Sequence, residues 1–148
     1  MSILTRSAVV DAPVETVFEY ALDPRKLWSV PDIALAEVEV KPEGAGTTAR
    51  IWYHFLGFHL EGGLEYKEVT RPERIVIEVN FFMEHPTWTF TFEPLDGGTG
   101  LTMRAAWHVK APAVGSIMDA IKAREHESMA EQWLNAVKNR MTRGCPVM

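Results

Sequence analysis

One segment, residues 9–31, constrains the fold of this 148-residue chain more than any other. A strand predicted over residues 3–10 must end at Ala12-Pro13, because proline cannot donate to a β-ladder and suits the first turn of a helix. Asp11 is the expected cap of that helix. The apolar positions of the helix recur at helical spacing and are Val14, Val17, Phe18 and Leu22. The chain is therefore predicted to pass from a strand almost directly into a short helix.

The order of elements after this helix predicts the fold class. The helix ends at Asp23-Pro24, since the residue before proline is pushed out of helical geometry, and residues 24–30 form one more short helical turn. Six alternating segments, separated by turns that contain Gly or Pro, then predict strands at Ala34–Lys41, Thr47–Phe55, His59–Thr70, Arg74–Glu84, Thr87–Leu95 and Thr99–Lys110. One long helix is predicted over residues 113–142. We therefore expect an α+β fold in a single domain over residues 1–148. Its curved antiparallel sheet of about seven strands would wrap around the C-terminal helix, with two short helices after the first strand.

Side chains along the predicted strands separate into an apolar and a polar set, because successive residues of a strand point to opposite faces. The apolar set is rich in aromatic and methionine side chains, and Gly62 and Ala105 leave space beside them. We predict a ligand pocket lined by Trp28, Tyr53, Phe55, Tyr66, Phe81, Met83, Trp88, Phe90, Met103 and Trp107, and by Met118 and Ile121 of the C-terminal helix. The same side chains also suit an ordinary core, and either tyrosine could orient a ligand or satisfy a backbone group.

Charge and composition exclude several classes of protein. A net charge of −5 without a basic run argues against non-specific nucleic-acid binding. No stretch approaches the roughly 20 apolar residues of a membrane-spanning helix, and the N-terminus lacks the apolar run of a signal peptide, so we expect a cytoplasmic protein. The single Cys145 excludes an intramolecular disulfide. Cys145 occupies the position of the cysteine in a C-terminal prenylation box. Pro146 is unsuited to such a box, so we expect an unmodified tail.

Candidate catalytic and metal-binding residues are few. Metal sites need converging ligands, whereas His126 is the only histidine of the predicted C-terminal helix, and His54 and His108 fall on the polar face. Neither a nucleophile elbow nor a glycine-rich phosphate loop occurs, so no metal and no cofactor are expected. His85 ends the apolar set beside Pro86 and is the one candidate acid or base at the mouth of the pocket. An exposed turn histidine accounts for it more simply.

Several of these motifs resemble one known superfamily. The residues that carry the resemblance are Val10-Asp11-Ala12-Pro13-Val14-Glu15-Thr16-Val17-Phe18, Asp23-Pro24 with Trp28, Gly44-Ala45-Gly46-Thr47 and Arg71-Pro72-Glu73-Arg74. They are similar to those of helix-grip proteins, which include START lipid-transfer domains, birch-pollen-type allergens and bacterial polyketide cyclase/dehydrase-like proteins. The resemblance implies an apolar or amphipathic ligand held between the sheet and the C-terminal helix. Some members are cyclases or hydrolases, and many are carriers.

Three functions follow as hypotheses, and whether the protein is an enzyme stays open at this point. The first is binding or transport of a hydrophobic or amphipathic small molecule, either lipid-like or polyketide-like. The second is polyketide cyclase or dehydratase activity in the same pocket, with His85 or a tyrosine as acid or base. The third is a protein-interaction module, with a homodimer as one form of it, because Trp52 and Phe82 interrupt the polar outer face.

Overall fold

The computed structural model describes the backbone of residues 2–28, 33–55, 58–81 and 85–107, and their side chains except at residues 2, 53–55 and 58–59. The predicted C-terminal helix, with Met118 and Ile121, lies outside the described residues, as does Met83. The side chains of Tyr53 and Phe55 lie outside them as well.

The described residues form seven strands and two short helices. In chain order they are β1 Ser2–Val10, α1 Val14–Leu22, α2 Pro24–Leu27, β2 Ile33–Glu39, β3 Thr48–Phe55, β4 Phe58–Thr70, β5 Arg74–Asn80, β6 Thr87–Leu95 and β7 Gly98–Trp107. All neighbouring strands are antiparallel in one curved sheet with the order β1-β7-β6-β5-β4-β3-β2. The predicted seven-stranded antiparallel sheet and the two helices after its first strand are confirmed.

The start of α1 differs from the prediction. Pro13, not Asp11, occupies the N-cap position, and no side chain caps the helix. The backbone supplies the first bond instead, because the Pro13 carbonyl accepts a hydrogen bond from Val17 N at 3.1 Å. Asp11 is exposed and precedes a tight turn in which Ala12 N donates to Val10 O at 2.9 Å. The predicted cap at Asp11 is therefore wrong, because this turn separates its side chain from the first helical turn.

The turn at Asp23-Pro24 ends one helix and begins the next. Asp23 is the C-cap of α1 and the N-cap of α2, where its Oδ1 accepts a hydrogen bond from Arg25 N at 3.0 Å. Pro24 opens α2, a position that suits its fixed φ. Trp28 follows α2, donates its backbone N–H to Pro24 O at 2.9 Å and is buried. The predicted second helical turn is thus present, and it carries Trp28 into the interior.

The sheet has an apolar inner face and a polar outer face, as the alternation predicts. The antiparallel register aligns the inward-facing residues in rows across the strands. One row consists of Tyr66, Ile77, Trp88, Ala105 and Leu4. The next row consists of Val69, Ile75, Phe90, Met103 and Arg6. The inward-facing residues of β5, β6 and β7 in these rows are all buried, so the centre of the sheet is the core of the described structure.

Strand β2 departs from simple alternation at a β-bulge. Its pairing with β3 shifts around Glu37, which has a φ of 51°, a value that few residues other than glycine adopt. Leu35 lies opposite Ile51 before the bulge, and Val38 packs against the core after it. Strict alternation from Leu35 would have turned Glu37 inward. The bulge leaves Glu37 exposed instead, 3.5 Å from Arg50.

Helix α1 covers one end of the inner face, which we call the closed end, where β6 and β7 meet at the turn 96–97. Phe18 packs edge-on against Phe92, with ring centroids 5.2 Å apart. The guanidinium of Arg71 lies 5.6 Å from the centroid of the Phe18 ring and pairs with Glu19 of the same helix. The closed end therefore combines aromatic packing with an ion pair at its surface.

Two buried hydrogen bonds join this region to the sheet. The hydroxyl of Tyr66 donates to Ala21 O at 2.7 Å, and the hydroxyl of Thr99 donates to Ala12 O at 2.8 Å. Tyr66 and Thr99 are both fully buried. Each hydroxyl supplies a partner to a backbone carbonyl that burial removes from water, which stabilises the docking of the helix.

We expect Thr99→Val to lower the free energy of unfolding by about 1–3 kcal/mol, because Ala12 O would lose its buried donor while the side-chain volume hardly changes. Thr102→Val is the matched control on the same strand, since the Thr102 hydroxyl contacts Ser7 Oγ on the exposed outer face at 3.0 Å. We expect its change to stay within about 0.5 kcal/mol. Urea unfolding followed by tryptophan fluorescence measures both variants. Equal losses in the two would contradict this account of Thr99.

Candidate functional site

The inner face is less completely covered at the end opposite α1, which we call the open end. Strands β3, β5 and β7 end there, and β2, β4 and β6 begin there. The side chains of this end divide into a buried set at the centre of the sheet and a partly exposed set toward the β2 edge.

Four aromatic side chains form the buried set, and we call them the aromatic floor: Trp28, Trp88, Phe90 and Trp107. The rings of Trp28 and Trp88 meet edge to face at 87°, with centroids 6.2 Å apart. The rings of Trp88 and Phe90 stack at 18°, with centroids 6.4 Å apart. Each of these side chains is at most 2% exposed. All four belong to the predicted pocket residues. The structure brings Trp28, Trp88 and Phe90 into contact, and Trp107 lies buried on the inner face of β7.

Three partly exposed apolar side chains, together with the buried Phe81, form what we call the rim: Ile33, Leu35, Leu60 and Phe81. Three of them are half-buried and pack against the core, and Phe81 is 9% exposed. Only Phe81 was predicted as a pocket residue, because the prediction favoured aromatic and methionine side chains over aliphatic ones. The sequence did contain an indication for Leu60, because it belongs to the inward-facing apolar set of its strand.

Gly62 lies on the inner face next to Leu60, where we expected it to leave space. The structure fills that position. A Cβ on Gly62 would clash with the backbone oxygen of Asn80 and would lie 2.7 Å from the Phe81 ring. The glycine therefore allows the end of β5 to approach β4 closely, and the expectation that it enlarges a pocket is wrong. Ala105 is also fully buried, so it exposes no surface to an open space.

Tyr66, a predicted pocket residue, has its hydroxyl committed to the helix. It donates to Ala21 O at 2.7 Å, which is the backbone role that the sequence left open beside a ligand-orienting one. Burial raises the pKa of Tyr66 far above its ordinary value, because its phenolate would lose its hydration. Tyr66 is therefore a neutral donor that positions α1 on the sheet.

His85, the predicted acid or base, is exposed, and its Nδ1 lies 3.0 Å from Oδ1 of Asn80. Asn80 pairs with Gly63, and Gly63 pairs with Arg50 on the next strand. Asn80 therefore belongs to the same outward-facing row as Arg50. His85 therefore contacts a residue of the outward-facing parity, away from the aromatic floor. A catalytic role for His85 stays a prediction, and this contact does not favour it.

The outer face holds Trp52, one of the two aromatic residues that suggested an interaction surface. Trp52 is half-buried, and the guanidinium of Arg50 lies 5.5 Å from the centroid of its ring. Arg50 also pairs with Glu37 and Glu61. A cation–π contact and two ion pairs thus account for Trp52 within the chain. The second aromatic residue, Phe82, lies outside the described residues.

Arg6 is a residue of the inner face that the sequence reasoning missed. It is paired with Met103, between the inward-facing Leu4 and Ala8. The signal was the parity of the first strand, because residues 4, 6, 8 and 10 share one face and Val10 is a core residue.

Within the described ranges, no group of three or more His, Cys, Asp or Glu side chains is placed to hold a metal ion. In the same part of the chain, no helix has the length and apolar character needed to cross a membrane.

Comparison with known proteins supports the fold. The sequence model of the family described as "Activator of Hsp90 ATPase homolog 1-like protein" matches residues 11–143. No curated protein matches the sequence.

Solved structures share the fold at low sequence identity. The protein TTHA0849 from Thermus thermophilus has a TM-score of 0.81 and 20% identity, covering 97% of this chain and 99% of its own. The di-domain ARO/CYC StfQ from the steffimycin biosynthetic pathway has a TM-score of 0.79 and 16% identity, covering 98% of this chain but 52% of its own. Ara h 8.0201 has a TM-score of 0.65 and 13% identity, covering 96% of this chain and 98% of its own. Together these matches identify the fold as that of the helix-grip superfamily.

We expect Gly62→Ala to destabilise the protein by about 1–3 kcal/mol, because its methyl group would overlap the Asn80 carbonyl and the Phe81 ring. Gly63→Ala is the matched control, since the nearest atom to a Cβ there is Ala49 O at 3.9 Å. We expect this second variant to be neutral or slightly stabilising, because glycine within a strand costs conformational entropy. Thermal and urea unfolding measure both. A Gly62→Ala protein as stable as the parent would disprove the close approach of β5.

Proposed function

We propose that this chain, which belongs to the family of Activator of Hsp90 ATPase homolog 1-like proteins, binds and carries a hydrophobic or amphipathic small molecule at the open end of its sheet. The ligand would be lipid-like or polyketide-like and would lie on the inner face, between the sheet and the C-terminal part of the chain. The family match and the helix-grip fold support a binding function of this general kind.

The observation that carries the proposal is the accessible apolar surface of the rim, toward the β2 edge of the inner face. At the closed end, Phe18 covers the sheet and its contact residue Phe92 is buried. At the open end, Leu35 and Leu60 face the same way but keep part of their surface accessible. Apolar surface that faces inward and remains accessible gains free energy when a ligand covers it, at about 25 cal/mol per Å².

Apolar contact would supply most of the affinity of such a site. Tyr66 already donates to Ala21, and the hydroxyl of Thr99 is bonded to the backbone at the other end. The rim consists only of hydrocarbon side chains. A ligand would therefore contact the rim, where Leu35 and Leu60 keep accessible apolar surface.

A neutral fluorescent probe, N-phenyl-1-naphthylamine, tests this proposal. We expect saturable binding with a blue-shifted emission, and a one-to-one complex in native mass spectrometry. Leu60→Gln should weaken binding about tenfold, because it places an amide in the apolar rim. Glu61→Gln is the matched control, since the neighbouring Glu61 is exposed on the outer face.

Melting temperatures of the variants establish that each is folded. If neither this probe nor a panel of neutral apolar compounds binds in a saturable way to the folded protein, the proposal fails. Equal weakening by Leu60→Gln and Glu61→Gln would place the probe elsewhere on the surface.

An enzymatic function in the same place is the alternative, and the fold likeness to the ARO/CYC protein StfQ supports considering it. It requires an acid or base beside the ligand. His85, the candidate, contacts Asn80 on the side of the outer face. Incubation with a linear poly-β-ketone thioester analogue and mass analysis for loss of water tests the alternative. Product formed by the parent but not by His85→Gln would establish catalysis and the role of His85.

A protein-interaction function has less support from the described residues, because Arg50 already covers the ring of Trp52. Light scattering in solution tests the homodimer. A dimer that Trp52→Ala converts to a monomer would support this function, and a monomeric parent would rule out its homodimeric form.

A further inference from the structure

The two edges of the sheet differ in how they are protected against pairing with another strand. Proteins commonly protect an edge strand with a bulge, a proline or exposed charges. Strand β2 has such protection, since it carries the bulge at Glu37 and a second exposed carboxylate at Glu39. In the described part of the chain, β1 pairs with β7 alone, over nine residues and without a register shift. It contains neither proline nor lysine, and its outward-facing residues are uncharged.

The backbone groups on the side of β1 away from β7 belong to its outward-facing residues. The turn 96–97 closes the β6–β7 hairpin at the pair Leu95–Gly98, and the closing pair of a two-residue hairpin is hydrogen-bonded. Because hydrogen-bonded pairs alternate along an antiparallel ladder, the even-numbered residues of β1 bond to β7. The residues that direct their N–H and C=O groups away from β7 are therefore Ile3, Thr5, Ser7 and Val9.

Exposed apolar side chains accompany this edge. The described residues include four large hydrophobic side chains that are exposed, and three of them lie on the outer face at or beside β1: Ile3, Val9 and Leu95. Val9 is paired with Gly100, and Leu95 lies over the same glycine, since a Cβ there would be 3.3 Å from Leu95 Cδ1. Val9 and Leu95 thus flank Gly100 and form one apolar patch, whereas Ile3 lies near the other end of the strand.

We propose that two copies of the chain form a dimer in which their β1 strands pair antiparallel, with Ile3 of each subunit opposite Val9 of the other. This interface is separate from the proposed ligand site and from Trp52, because β1 and β2 are the opposite edges of the sheet and Trp52 lies next to β2. The dimer would extend the sheet across a two-fold axis that passes beside Arg6.

This register satisfies the backbone and the side chains together. It opposes Thr5 to Ser7 as well as Ile3 to Val9, so the backbone groups that point away from β7 bond to one another. It also brings each Ile3 to the patch formed by Val9 and Leu95, and covering apolar surface of this kind is favourable. The edge is therefore complementary to itself, which is why a second copy of the chain is the partner that it fits.

Charge limits the strength of this dimer. Arg6 lies on the inner face at the centre of the paired segment, opposite its own copy, and like charges directly opposite each other are destabilising. Each chain also carries a net charge of −5. The contact along residues 3–9 is only about 20 Å long, which makes a small interface. We expect a dissociation constant of about 10 μM at physiological salt, and a lower one at higher salt because salt screens both repulsions.

Sedimentation equilibrium over concentrations that span this dissociation constant tests the dimer. Val9→Lys should raise the dissociation constant about tenfold, because it places a charge opposite Ile3. Val40→Lys is the matched control, since Val40 is 45% exposed against 53% for Val9 and follows β2 at the opposite edge. It makes the same change in net charge and should leave the dissociation constant unchanged. Trp52→Ala should also leave it unchanged.

Cross-linking with oxidised glutathione tests the register. In a Cys145→Ser background, Ile3→Cys combined with Val9→Cys should give a disulfide-linked dimer, because opposed residues of a ladder have Cα atoms about 5.5 Å apart. Within one strand the two positions are about 20 Å apart, so no bond can form inside a subunit. Ile3→Cys alone should remain unlinked for the same reason. Trypsin cleaves after Arg6, so a peptide with residue 3 joined to one with residue 9 identifies the link.

The outcomes are distinct from those of the ligand-binding experiments. Melting temperatures establish that each variant is folded, and cross-linking decides the question if Val9→Lys is not. A parent protein that stays monomeric at ten times the expected dissociation constant would overturn the dimer. Equal weakening by Val9→Lys and Val40→Lys, or the absence of a link between residues 3 and 9, would overturn the pairing of β1. None of these results bears on binding at the rim.

Discussion

This structure depends on the covering of one surface, the inner face of the sheet, which is apolar along nearly its whole length. The register places Tyr66, Ile77, Trp88 and Ala105 side by side across four strands, and all four are buried. At the closed end, α1 covers the face through Phe18, and the bonds from Tyr66 and Thr99 supply partners to carbonyls that lose their water. Because α1 is only nine residues long, it covers that end and leaves the other to different contacts.

The open end is where the same apolar face acquires its proposed function. Its floor is packed aromatic side chains, and its rim keeps part of its hydrocarbon surface accessible. This difference has a simple cause, since the rim lies toward the β2 edge, where fewer neighbours surround each side chain. The inward-facing cation at Arg6 stands at the opposite edge of the sheet, on β1.

Most of the fold was predictable because it depends on local signals. The period-two alternation and the Gly and Pro turns located all seven strands, and β6 matches its predicted bounds at both ends. The errors lie where a residue distant in sequence decides the local geometry. The bulge at Glu37 places its carboxylate near Arg50, and the turn before α1 holds the Ala12 carbonyl against Thr99. Neither contact can be read from the residues that surround Glu37 or Asp11 in sequence.

The sequence by itself determined which side chains face inward, because alternation along a strand is a property of the backbone, and it thereby predicted Trp88, Phe90 and Trp107. Only the tertiary structure decided what these positions are next to. It filled the space at Gly62 with the end of β5, committed Tyr66 to Ala21, and set Arg6 beside Met103. Those outcomes depend on which strand pairs with which and in what register. Such pairing joins residues as far apart as 6 and 103, and no local pattern contains it.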